Sequence, residues 1–206
     1  MSQFIDESSH DVNLRLGDII NGFAHIVPSF DDFFTNGHEY RLDVRPQKLF
    51  VVLTPCCSIE DKIITVVPLK DIRYSFYSNP YFKDDMTRIN RPARKIDLLP
   101  PKQAENISAE ERANLELAEP VYGFGELFIY GEHPKLPLYQ IKYKTNTPIS
   151  TKYYMIDFKD AFTVKSEKIV RGNKYPKLLQ LTIASRGELR NKLAAYYSRV
   201  PEEDEV

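Results

Sequence analysis

Apolar residues recur with period two along most of the chain and at helical spacing in only two places. In "LRLGDIINGF", Leu14 and Leu16 share one face before Gly17-Asp18 interrupts and Ile19-Ile20 resume, predicting a strand bent or bulged at Gly17. The polar residues 1–13 ahead of it read as a start that frays or orders only on contact. Next comes "AHIVPSFDDFFTNGHEYRLDVRPQ", where Asn36-Gly37 marks a turn or long loop. Residues 48–69, "KLFVVLTPCCSIEDKIITVVPL", carry two runs apolar on both faces, 49–54 and 63–68. They predict strands buried on both sides and joined as an antiparallel hairpin through "PCCSIEDK".

The pattern breaks over 70–118. "DIRYSFYSNPYFKDDMTRINRPARKIDLLPPKQ" is aromatic, proline-bearing and basic, and longer than an ordinary connection, which predicts an inserted excursion from the sheet. It closes with "ISAEERANLELAE", where Ser108 and Glu111 form a capping box ahead of a short helix. Period two then returns in "VYGFGELFIYGE", "PLYQIKYKT", "KYYMIDFKDAFTVK" and "KLLQLTI". The end, "SRGELRNKLAAYYSRV", places Leu189, Leu193 and Tyr196 or Tyr197 at helical spacing behind a second capping box, Ser185 and Glu188.

These elements describe a single α+β domain over 1–206 on a mostly antiparallel, barrel-like sheet. Strands come from 14–69 and 119–183, the insertion spans 70–118, a C-terminal helix covers 185–199, and the acidic 201–206 form a disordered tail.

Composition narrows the function classes. With 28 basic and 29 acidic residues among 206, the net charge of -1 excludes global attraction to nucleic acid or membrane, so any such surface must be a local patch. No apolar stretch approaches the ~20 residues of a membrane-spanning helix, and "MSQFIDESSH" lacks the basic start and apolar run of a signal peptide. The expectation is a cytoplasmic protein with no membrane partner. Thirteen Tyr and twelve Phe with no Trp suit pleated, half-buried strands and sheet faces that contact a partner.

Cys56 and Cys57 are the only cysteines, and as neighbours on a strand they point to opposite faces. Zinc needs three or four converging ligands, and His10, His25, His38 and His133 show no ligand spacing with each other or with the pair. Glu60 and Asp61 beside them would raise a thiol's pKa and blunt a nucleophile. Packing of at least one thiol as a small hydrophobe is the expectation, and no metal or cofactor motif is present. Adjacent carboxylates such as Asp31-Asp32 and Asp84-Asp85 diverge and read as solvated turns.

The insertion carries the one suggestive cluster. Arg88, Arg91, Arg94 and Lys95 follow Tyr74, Phe76, Tyr77, Tyr81 and Phe82, and cations for phosphates with rings for bases are what single-strand binding requires. Tyr77 and Tyr81 are the candidate stacking rings. The competing reading is a solvated loop whose cations pair with Asp84, Asp85 and Asp97.

"LGDII", then "RPQKLFVVLTP", then "ITVVPL" resembles the opening of MazF/PemK-type toxins over about residues 14–69. The resemblance implies a small SH3-like barrel, often dimeric, many members of which cut single-stranded RNA. It also implies that Arg45 is the catalytic, phosphate-binding arginine. Where that family often places a threonine or serine after the second strand, this chain has Leu69 or Lys70, which offer no hydroxyl. "VVLTPCCSI" with "LAAYYSRVP" also looks like a group of uncharacterised bacterial proteins, which brings no activity with it. Two expectations follow. The first is an RNA-binding module of a toxin or phage-defence system, with weak or no ribonuclease activity. The second is a non-catalytic subunit, or a homodimer, that docks a larger enzyme.

Overall fold

The computed structural model describes residues 2–22, 24–29, 41–46, 48–55, 58–59, 63–142, 147–169 and 177–198. Cys56, Cys57, the Asn36-Gly37 turn and the 201–206 tail lie outside them.

The β-branched run at 49–52 forms β4 (Leu49–Val52) and pairs antiparallel with β5 (Ile63–Pro68), as the hairpin reading requires. Their neighbours are not sequential. β1 (Ile19–Asn21) lies on the other side of β4 and carries β12 (Lys177–Leu179) beyond it, while β11 (Phe162–Lys165) pairs with the far edge of β5. The result is a five-stranded sheet in the order β11-β5-β4-β1-β12. A second sheet holds β6 (Lys70–Asp71), β10 (Tyr154–Asp157) and β7 (Leu127–Tyr130), in the order β6-β10-β7. Two short hairpins, β2 (Ala24–Ser29) with β3 (Arg41–Pro46) and β8 (Tyr139–Ile141) with β9 (Ile149–Thr151), complete the strands.

Two chain paths cross between the sheets side by side. β5 runs through Leu69 into β6, and β10 runs through a 3-10 turn at 158–160 into β11. β6 pairs with β10 as β5 pairs with β11, so one bent ladder belongs to both sheets. This is how a barrel begins. Among the described residues, however, the ladder does not close, which corrects the expectation of a barrel to an α+β arrangement of antiparallel sheets. At the gap, residues 2–5 bond by main chain to 180–182 on one side and meet β7 through the Gln3 and Phe4 side chains on the other.

Period two decides what fills the layers. Along β4, Leu49 and Val51 enter a central cluster between the sheets, and Phe50 and Val52 enter a second one with Leu14, Ile20, Ile59 and Ile64. Along β7, Phe128 and Tyr130 face the central cluster while Leu127 and Ile129 face a third. At β4 and β7 the sheets are therefore buried on both faces.

The third cluster is built by the insertion. A 3-10 turn at 74–78, α1 (Pro80–Lys83) and a 3-10 turn at 86–90 deliver Phe76, Phe82, Met86 and Ile89, all at most 2% exposed, against β7 and β10. Full burial of such side chains contributes about 1.5–3 kcal/mol each, against about 0–1 for an exposed ion pair, so apolar packing holds the excursion down. Phe76 and Phe82 are thus core residues, not the exposed rings the sequence suggested. The short helices α2 (Lys95–Leu98), α3 (Pro101–Ala104) and α4 (Ala109–Leu117) follow, and Ser108 Oγ accepts from Glu111 N at 3.1 Å as the capping box predicts.

The last helix, α5 (Ile183–Tyr197), starts earlier than expected. Its N-cap is Thr182, whose side chain accepts from Ser185 N, so Ser185 lies inside the first turn and is not the cap. Gly17 adopts φ +86°, and a Cβ there would collide with Leu181 and crowd Leu189 of α5, which explains the glycine at the predicted bend.

Candidate interaction surface

An open cleft of about 700 Å³ lies where residues 2–4, the insertion, the segment after β7 and the start of α5 meet. Its lining includes Gln3, Phe4, Asp85, Arg91, Glu132, Tyr153 and Glu188. Each arrives by a separate route. Asp85 is the N-cap of the turn at 86–90, where Oδ1 accepts from Thr87 N and Oγ1 at 2.9 and 2.6 Å. Glu132 accepts from Lys152 N at 3.2 Å. Arg91 Nε meets Glu188 Oε1 at 2.6 Å, tying the insertion to α5 across the cleft. Burial raises the Tyr153 hydroxyl above its ordinary pKa, and the carboxylates of Asp85 and Glu132 act in the same direction.

Of the sequence-predicted cations, Arg91 lines this cleft, and Arg88, Arg91 and Arg94 already have partners. Arg88 donates to Tyr81 O at 2.8 Å and stands over the Tyr81 ring, 5.3 Å from its centroid. Arg91 is held by Glu188, and Arg94 makes a two-pronged bond to Asp97 at 2.9 and 3.0 Å. Of the acids proposed as loop partners, Asp97 takes that role. Lys95 is exposed at the first position of α2. Tyr77 and Tyr81 are half-buried and pack on the third cluster. Arg45 lies on β3 opposite His25, away in sequence from this group.

Several residues that organise the site escaped the sequence reading. Asn90, 1% exposed, receives Ile129 N and donates to Ile129 O, both at 2.7 Å, so a side-chain amide stands where a neighbouring strand would be. Lys192, fully buried on α5, donates to Ile89 O and lies 5.5 Å from the Tyr122 ring centroid. A signal for Lys192 existed: it falls on the helical stripe of Leu189 and Tyr196. Gln3 offered none, being one polar residue in a polar start.

A buried ion pair ties the start of β1 to β12. Asp18, fully buried, accepts from Arg15 N at 2.8 Å and from Lys177 Nζ at 2.8 Å. Lys177 also donates to Asp11 O, Asn13 O and Gln180 Oε1. Burial raises the Asp18 carboxyl above its ordinary pKa, with Lys177 pulling the other way.

Among the described residues, no group of three His, Cys, Asp or Glu could hold a metal ion, and no helix is long and apolar enough to cross a membrane. No family model, no curated protein and no solved structure matches the chain.

Proposed function

We propose that this protein is a protein-interaction module of the cytoplasm, docking a partner through the surface around the cleft. One observation carries the reading: Arg88, Arg91 and Arg94 are each engaged by a group of the protein itself. Glu188 and Asp97 offset the charge of Arg91 and Arg94 and so weaken their pull on a phosphate, whereas a polypeptide meets an open concavity of mixed polar and aromatic lining. The two sheets, sharing one bent ladder, are read as an opened SH3/PemK-like barrel. The test is reconstitution from purified components with the product of an adjacent gene. A stable heterocomplex weakened by Asp85→Lys or Glu132→Lys supports the reading, and a monomer that binds no such product opposes it.

Single-stranded RNA binding in a toxin or defence system is the second reading, favoured by the exposure of Arg91, Arg94 and Lys95 along one stretch. In its ribonuclease form Arg45 would hold the phosphate. RNA affinity that falls steeply with salt and is lost in R88A/R91A/R94A would establish it in place of the first.

A further inference from the structure

Residues 2–5 are bound as an extended peptide would be. Ile5 N donates to Gln180 O at 3.1 Å, Thr182 N donates to Gln3 O at 2.8 Å, and Phe4 forms an antiparallel bridge with Leu181. Two side chains supply the rest. Gln3 Nε2 donates to Ile129 O at 3.2 Å, a carbonyl that Asn90 also bonds, and Gln3 Oε1 receives Gly131 N at 2.5 Å, so one amide reads two main-chain groups along the edge of β7. Phe4, 6% exposed, enters the central cluster, stacked on Tyr130 at 6.3 Å and edge-on to His133 at 5.1 Å. Main-chain bonds to an edge with adjacent side chains in dedicated sites is the pattern of strand addition, in which the backbone supplies affinity and the pockets supply selectivity.

This segment also fills the gap where the two sheets fail to pair. Gly131 fits the role, since a Cβ there would stand 3.1 Å from Gln3 Oε1. Ser2, Gln3, Phe4 and Gly131 all line the cleft.

We infer that the seam between β7 and residues 180–182 is a peptide-binding groove occupied in cis by residues 2–5. It takes an extended partner segment bearing a side-chain amide followed by an aromatic ring. The resident Gln3-Phe4 pair defines that chemistry: the amide accepts from Gly131 N and adds a donor to Ile129 O beside that of Asn90, and an ionised carboxylate could only accept. The ring must fill a site made by Tyr130 and His133. A partner that inserts its own segment displaces the strap and reshapes the cleft wall, so the groove specifies how the interaction reading above, on which it rests, is carried out.

The probe is a fluorescent peptide of residues 2–7, SQFIDE, added to the full chain carrying Gln3→Ala, whose own strap is weakened. Saturable binding with a dissociation constant on the order of 10–100 μM is expected, weakened at least about tenfold when the peptide's Gln and Phe become Ala. Hydrogen exchange on the unsubstituted protein gives the second readout. The amides of Ile5, Gly131 and Thr182 should open at least about a hundredfold more often than those of β4 and β5. No peptide binding to a folded Gln3→Ala chain, or seam amides that exchange only with global unfolding, overturns the groove. Concentration-dependent dimers without peptide binding overturn it in favour of exchange between two copies. If the groove fails while the reconstituted heterocomplex persists, the interaction reading stands without it.

Discussion

Replacing Lys177 by Met takes the bonded cation from the buried Asp18 carboxylate, on which Arg186 exerts a weaker pull. Lys177 and Asp18 side chains are 6% and 0% exposed and meet at 2.8 Å, so water cannot take the ammonium's place without opening the packing of β1 and β12. Breaking a buried pair from one side costs about 3–5 kcal/mol. The carbonyls of Asp11 and Asn13 lose a donor too, but both residues are exposed and water replaces it. For a chain of this size the melting temperature should fall by about 6–20 °C. Because folding raises the Asp18 pKa above its ordinary 3.8, the folded state holds that proton more tightly than the unfolded one. Asp18's contribution is therefore fully present below the unfolded pKa and lost as pH rises through the folded value. Removing Lys177 pushes the folded value further up, so the K177M penalty should be smaller near about pH 4.5 than near about pH 7. Urea unfolding of the wild type, K177M, D18N and K177M/D18N at both pH values measures this. The double variant should recover about 1–3 kcal/mol relative to K177M alone. A K177M penalty below about 1 kcal/mol, unchanged by pH and additive with D18N, would refute the account of a buried charge stripped of its bonded partner.

Asn90→Leu removes both amide bonds to Ile129 and leaves a buried N–H unpaired, a loss of about 2–4 kcal/mol, with faster hydrogen exchange across 74–90 than across β4. Gly17→Ala meets both a left-handed backbone and the side chains of Leu181 and Leu189, so denaturant unfolding should show at least about 1–3 kcal/mol of destabilisation. Lys192→Met keeps the volume on α5 but strands Ile89 O and gives up the Tyr122 ring. Its expected cost is about 1–3 kcal/mol, read by thermal melting, and a more stable variant would show that the buried ammonium is a burden there.

Local pattern was legible. The alternation in "LFVV" and "IITVVP" foretold strands buried on two faces, Gly17 marked the bend, and Ser108 marked a helix start, because each depends on residues a few positions apart. The extent of the insertion was readable from the loss of period two. Its role was not, since aromatic rings at 74–82 look alike whether they face water or the outer face of β7. The start of α5 shows the same limit. Thr182 and Ser185 are both capping residue types, and Thr182 holds that place while its own amide is committed to Gln3 O in the segment beside 180–182.

Everything that joins distant positions was left to tertiary structure. Strand order placed β1 between β4 and β12, which brought Lys177 onto Asp18 and Gln180 onto Asp11. Sheet geometry left a gap that one amide side chain spans, and the fold of the insertion gave Arg91 to Glu188 before any outside ligand could claim it. Periodicity records only which face of its own element a residue occupies. The partner across that face is chosen by chain segments 39, 103 and 113 residues away in three such bonds, and no local spacing encodes them.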